Sequence, residues 1–504
     1  MNKFLKSVGY DATKQTTVRT ELVAGVVTFL SMAYILTVNP NQIFGSTANV
    51  YWSSAFIATA LGAVIGTLLM AFLAKMPLAQ ASGMGLNSMM GGLIGGWAGY
   101  ANAFTPGQAF FLVLISGLVF LALSVIKIKG KTFRELVFDG MPVSVRSAIS
   151  VGIGLFIAYI GFQNAKIIVA DPYTQVALTD FTTWKNVLDE AGNVVMISPA
   201  RTAAVALIGL FLIAILDKIK VKGSVIFGIL GATIVGIPMG VTDLSVLSGN
   251  TPGISWKFWE NYSNFFAGEN TVFGSFINVF TGDGLIPAGV SVFAIIMIVI
   301  TLCMIDMFDT MGTIVGCCGG NRILSDENNK PHNYGKIMIS DAVATCSGAM
   351  LGTSTVTTFV ESGAGVSAGG RTGLTALTTA ILFALATFAM PLFAVIPSAA
   401  TAAALIYVGV LMMKNNIKSV DFSTAINATS AFLTISVMVL SYSITKGIGV
   451  GLISYTLLSI VTYFIELLVA SVKKTEKPRF NVSVVAIIVT LLFVVYFFVP
   501  ATLF

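Results

Sequence analysis

Residues 357–370 read TTFVESGAGVSAGG and set one carboxylate, Glu361, inside a long apolar, glycine-rich region. Just before it, TSTVTTFV is rich in β-branched residues, which favour a strand over a helix. Just after it come glycines, which weaken a helix but let another group approach the backbone closely. The reading of this stretch depends on the medium around it, and the composition answers that. The 504-residue chain is 56% hydrophobic and only 10% charged, with a mean hydropathy of +0.90. Apolar runs of about 20 residues recur along its length, each able to cross a hydrocarbon core of ~30 Å. The fold class expected is an all-α polytopic membrane protein.

Working outward, spans are predicted near 21–43, 53–74, 83–97, 106–126, 147–165, 202–216 and 223–240, then near 288–316, 337–352, 361–369, 372–395, 398–413, 425–443 and 447–470. An extra apolar segment, 482–503, follows the basic linker SVKKTEKPRF, and its crossing of the membrane is left open. With the N-terminus cytoplasmic, the outer segments hold only Lys166, Lys185, Arg201, Lys257 and Lys446 of the 28 lysines and arginines. That bias follows the positive-inside rule and accounts for a pI near 9.0 without nucleic acid. The polar N-terminus is too long to precede a signal peptide's apolar core. The expected location is the cell membrane.

Seven crossings is an odd number, so a second set of seven starts on the opposite side and forms an inverted repeat. An internal echo fits: SGMG at 82–85 and SGAG at 362–365 fall in the third and tenth spans. Pro77 opens an extended stretch before the first echo, and TSTVTTFV precedes the second. A short strand followed by a half-helix is therefore expected twice. Such backbone at membrane depth must be buried in protein or line a cavity, and half-helix N-termini would turn N–H groups and a positive dipole end toward it.

Few acids lie in the apolar spans: Asp306, Asp309, Asp341, Glu361 and Glu466. Burying a carboxylate there costs at least ~2.5–3.5 kcal/mol, which implies a use. Asp341 and Glu466 lie near span ends and are read as snorkelling. Asp306 and Asp309 share a helix face with Thr310 and Thr313. Each acid also has a structural reading, as a helix cap or an acceptor for freed backbone amides. Asn87, in SGMGLNSMM, offers donor and acceptor to a flat heterocycle, or serves as interhelical glue. Ser82, Ser362, Thr28 and Thr355 serve as glue equally well. The aromatics Phe29, Tyr34, Phe308 and Phe359 are read as packing.

Four cysteines, Cys303, Cys317, Cys318 and Cys346, form no CxxC pair, and the single histidine, His332, sits in a polar loop. No metal site or cofactor is expected. Asp306 and Asp309 lie on one helix turn, which does not suit a protease dyad, so no enzyme is expected.

At these residues the chain resembles the azaguanine-resistance-like (AzgA-like) purine permeases of the nucleobase–cation symporter superfamily. The segments are FLSMAYILTVNP (29–40), ASGMGLNSMM (81–90), GIGLFIAYIGFQNA (152–165), FDTMGTIVG (308–316), LGTSTVTTFVESGAGVSAGGRTGLTA (351–376) and VLSYSITKGIGVGLISY (439–455). Ser88, Met89 and Gly363 stand where that family more often shows alanine, an aromatic and alanine. The resemblance implies a core domain of spans 1–4 and 8–11 and a gate domain of the rest. That gives core 1–126, gate 127–242, an extracellular connection 243–287, core 288–396, gate 397–470 and a tail 471–504. It implies a purine nucleobase between the half-helices, with Asn87, Asp309 and Glu361 at the site.

The expected mechanism is proton-coupled uptake of guanine, hypoxanthine or adenine by alternating access. Glu361 accepts from ring N–H groups, and backbone N–H groups near Gly85 and Gly363, with Ser362, complete the substrate contacts. Asp309, Glu361 and Asp306 are the proton-coupling candidates. Sodium in place of the proton, and a homodimer, are left open. Apart from the nucleobase the expected partner is membrane lipid. The rival transport reading is anion exchange on the same architecture, which two half-helix dipoles favour and a glutamate at the same point opposes.

Overall fold

The computed structural model describes residues 3–11, 15–95, 104–128, 131–132, 140–188, 194–221, 223–248, 254–268, 270–287, 289–318, 323–325, 331–473, 480 and 482–498. The ends of the expected spans 83–97 and 482–503, position 288 and most of the basic linker lie outside these residues.

Sixteen of the helices make up the frame. They are α1 (Val18–Met32), α2 (Ile35–Phe44), α3 (Trp52–Leu69), α4 (Met84–Ile94), α5 (Pro106–Val125), α6 (Val143–Asn164), α7 (Pro199–Lys218) and α8 (Ser224–Gly236). The second half supplies α9 (Val292–Cys318), α10 (Tyr334–Leu351), α11 (Ser362–Ser367), α12 (Gly373–Ala386), α13 (Ser398–Asn416), α14 (Ala425–Leu440), α15 (Ile444–Lys473) and α16 (Val484–Phe498). Among the described residues nine helical stretches are long and apolar enough to cross a membrane, and three more apolar helices are shorter. Two small hairpins, Ile168–Asp171 with Gln175–Leu178 and Val187–Leu188 with Val194–Met196, follow α6.

Both expected extended-then-helical units are present. Strand β1 (Gln80–Ser82) leads into α4, and β2 (Val356–Thr358) leads into α11. The strands pair antiparallel, with Gln80 opposite Thr358, Ala81 opposite Thr357 and Ser82 opposite Val356. Flanking bonds extend the ladder: Gly83 N donates to Thr355 O at 2.9 Å, and Phe359 N to Ala79 O at 3.0 Å. All six strand residues are buried. The two extended segments thus satisfy each other's backbone, which a lone extended segment in an apolar medium cannot do.

The other helices form two packing groups. In one, α10 packs on α3 and α5, α12 on α1 and α3, α11 on α1, and α9 on α5. In the other, α6 packs on α13 and α14, α7 on α8 and α13, and α15 on α6, α14 and α16. Contacts of α4 and α9 with α6, and of α2 with α13, join the groups. Small residues allow close helix approach: a Cβ on Gly409 of α13 would lie 2.4 Å from Gly154 O of α6.

Glu21, on α1, is fully buried. Its carboxylate takes Arg371 N at 2.9 Å, Thr372 N and Thr375 N at 3.3 Å, and Thr375 Oγ1 at 2.6 Å. The first turn of α12 is therefore held by an anion from another helix, where the free N–H groups and the dipole favour one. Glu21→Ala would leave three N–H groups and a hydroxyl without that acceptor. It is expected to cost at least about 2 kcal/mol, read as a lower apparent melting temperature of the detergent-purified protein. Glu21→Gln, which keeps one acceptor oxygen, is expected to lose less.

Candidate functional site

Glu361 occupies the N-cap position of α11 but makes no side-chain cap bond. It is only 5% exposed. Oε1 accepts from the Tyr34 hydroxyl, while Oε2 is buried with no hydrogen-bond partner among the described residues. A buried carboxyl oxygen without a hydrogen-bond partner is costly, so this atom marks where a ligand group would be satisfied. Asp309, on α9, is partly buried, and its carboxylate interacts electrostatically with Glu361. The Cys317 thiol, also on α9, donates to Val360 O at 3.4 Å and lies under the same turn. The structure therefore brings Glu361, Asp309 and Gly363 together.

The other predicted residues are committed to the frame. Asn87, fully buried on α4, accepts on Oδ1 from Ser82 Oγ at 3.0 Å and from Ser354 Oγ, and its Nδ2 donates to Gln42 Oε1 at 3.2 Å. It ties α4 to both strand regions and to α2. Ser362 Oγ accepts from Ala79 N at 3.0 Å and locks the start of α11 onto the approach to β1. Gly363 N already donates to Val360 O at 3.0 Å, so what Gly363 offers is the absence of a side chain. A Cβ on Gly85 would meet only Ile444 Cδ1, at 2.8 Å, the far end of a side chain from α15. Asp306 is fully buried and takes Thr345 Oγ1 at 3.0 Å, which ties α9 to α10.

Three sequence readings need correction. Asp341 does not snorkel: it is fully buried, with Oδ1 taking Gln80 Nε2 at 2.9 Å and Oδ2 taking Thr310 Oγ1 at 2.8 Å. It joins β1 to the helix that carries Asp309, and Thr310 reaches on to Thr357 of β2 at 2.6 Å. Tyr34 is not mere packing, since it is the donor to Glu361. Phe29 does pack, edge-on to Phe383 at 5.2 Å, while the Phe308 side chain lies outside the described residues. Thr355, read as glue, has its Oγ1 buried without a partner among the described residues. Tyr34 sits between α1 and α2, where the first helical stretch breaks.

A model of the Permease family matches residues 19–450. The chain belongs to the Permease family. The adenine permease AdeP of Escherichia coli (strain K12) is 33% identical over 447 residues, 89% of this chain and 88% of that one. The guanine/hypoxanthine permease PbuO of Bacillus subtilis (strain 168) is 34% identical over 444 residues, covering 88% of this chain and 91% of that one. Among solved structures, the transmembrane domain of the cyanobacterial bicarbonate transporter BicA is 17% identical, with a TM-score of 0.56 over 86% of this chain and 97% of that one. That last likeness is one of fold. With its apolar helices, this member of the Permease family is a multi-pass membrane protein.

Two glycines of α11 differ in what they tolerate. A Cβ on Gly365 would lie 2.0 Å from Thr28 Oγ1 and 2.9 Å from Ala24 O, whereas one on Gly363 would lie 3.7 Å from Cys317 Sγ. Gly365→Ala is expected to push α11 off α1 and cost about 1–3 kcal/mol. Gly363→Ala is expected to leave stability unchanged or raise it by up to about 1 kcal/mol. Melting curves of the two purified variants check the contrast.

Proposed function

We propose that this chain takes purine nucleobases up across the cell membrane by proton-coupled secondary active transport. The observation that carries the reading is the buried Oε2 of Glu361, without a protein donor, at the start of a half-helix. A purine presents ring N–H groups that such an oxygen accepts. The named relatives, an adenine permease and a guanine/hypoxanthine permease, support the same substrate class.

The substrate is neutral and cannot accumulate against a gradient unaided. One co-transported proton gains ~2.3 kcal/mol per 100 mV, enough for about fifty-fold accumulation. Asp309 and Glu361 are the coupling pair in this reading, because two neighbouring carboxylates cannot both ionise cheaply in one desolvated place. Asn87 and Asp306 brace the frame around them. The two half-helices would meet the ligand between them, with Thr355 as a further polar group at hand.

The architecture belongs to the proposal: fourteen segments in two inverted sets of seven, with the N-terminus cytoplasmic. Core (1–126 and 288–396) and gate (127–242 and 397–470) move against each other for alternating access. The two packing groups support this division. A carboxylate at the ligand position disfavours an anion as substrate.

Uptake of radiolabelled guanine, hypoxanthine and adenine into proteoliposomes, at fixed voltage with and without an inward proton gradient, tests the reading. Gradient-driven uptake of at least one purine is expected, with Glu361→Gln lowering it roughly ten- to hundredfold. No uptake of any purine by well-folded protein would overturn it.

A further inference from the structure

The first span grips the second half-helix at both ends. At one end, Glu21 of α1 holds Arg371 N, and the Arg371 guanidinium donates to Val366 O at 2.6 Å and Gly370 O at 2.7 Å, at the C-terminal end of α11. Along the middle, Gly365 sits directly against Ala24 and Thr28. At the other end, Tyr34 reaches Glu361. Tyr34 is 1% exposed, and its hydroxyl lies 3.7 Å from Met84 Sδ, the first residue of α4. The phenol is wedged between the two half-helices, and the anchor at Glu21 fixes the register of the span that carries it.

This placement divides the carboxylate into two unequal acceptors. Oε1 already takes an O–H donor from the protein, and Oε2 takes none among the described residues. A carboxylate with both oxygens free pairs with two adjacent N–H groups as a fork. One with an oxygen already engaged offers a single strong acceptor.

We propose that Tyr34 is a specificity-determining residue: by committing Oε1 of Glu361 it makes the site read one ring N–H and gain little from a second N–H beside it. The inference rests on the purine reading above and deepens it. Guanine presents a ring N–H and an amino N–H side by side on one edge, while hypoxanthine presents the ring N–H alone. The native site therefore does not favour guanine over hypoxanthine. Without the phenol hydroxyl, Oε1 is released to accept a second donor and the guanine edge is matched.

Equilibrium binding of radiolabelled guanine and hypoxanthine to the detergent-purified full chain tests this. In the wild type the two dissociation constants are expected within about threefold of each other, and in Tyr34→Phe the guanine-to-hypoxanthine affinity ratio is expected to rise at least about tenfold. A purely structural role for Tyr34 would weaken both ligands alike. An unchanged ratio in the variant overturns the inference and leaves the transport reading standing. So does a wild type that binds guanine more than about tenfold tighter than hypoxanthine, a result that needs no variant to fold. A wild type that binds neither guanine nor hypoxanthine overturns the inference, and the substrate reading falls with it only if adenine is not taken up either.

Discussion

Two extended segments lie within a chain built of apolar helices, and each is tolerable only because the other satisfies its backbone. Gln80–Ser82 and Val356–Thr358 come from opposite halves of the sequence and meet as a buried two-stranded ladder. Once that pairing exists, both half-helices start from fixed points on either side of it. Ser362, Asn87 and Ser354 then tie each half-helix to the other's approach strand. Glu361 inherits its position from this ladder rather than from the short helix it begins.

The buried carboxylates divide by how they are satisfied. Glu21 accepts on both oxygens, from Arg371 just before α12 and from Thr375 in its first turn. Asp341 accepts on both, from Gln80 and Thr310. These two bind separate pieces of chain together and have no oxygen left over for other chemistry. Glu361 accepts on one oxygen only among the described residues. Glu21, Asp341 and Glu361 are alike in burial and differ in the distribution of their donors.

Much of the fold was legible because hydropathy and β-branching are local properties. The apolar runs marked the helices to within a few residues, and TSTVTTFV foretold the strand at Val356–Thr358. The echo of SGMG and SGAG marked the two half-helix starts. What a linear reading could not supply is pairing across the chain. Asp341 reads as peripheral because it lies near a span end, yet its donors come from β1 and α9. Glu21 stands at the very start of the first apolar run, where nothing local marks it, although α12 depends on it. Tyr34 was one aromatic among many in a chain with 36 phenylalanines, and only the third dimension puts its hydroxyl on Glu361.

The ladder also imposes an order on biosynthesis. Gln80–Ser82 leaves the ribosome long before Val356–Thr358 is made. Until the second strand arrives, the first carries bare N–H and C=O groups that hydrocarbon will not accept. The segment that carries β1 therefore has no complete set of backbone partners in hydrocarbon until β2 has been made. Truncations that end before the second strand leave the nascent first half exposed to quality control, whatever the hydropathy of its helices.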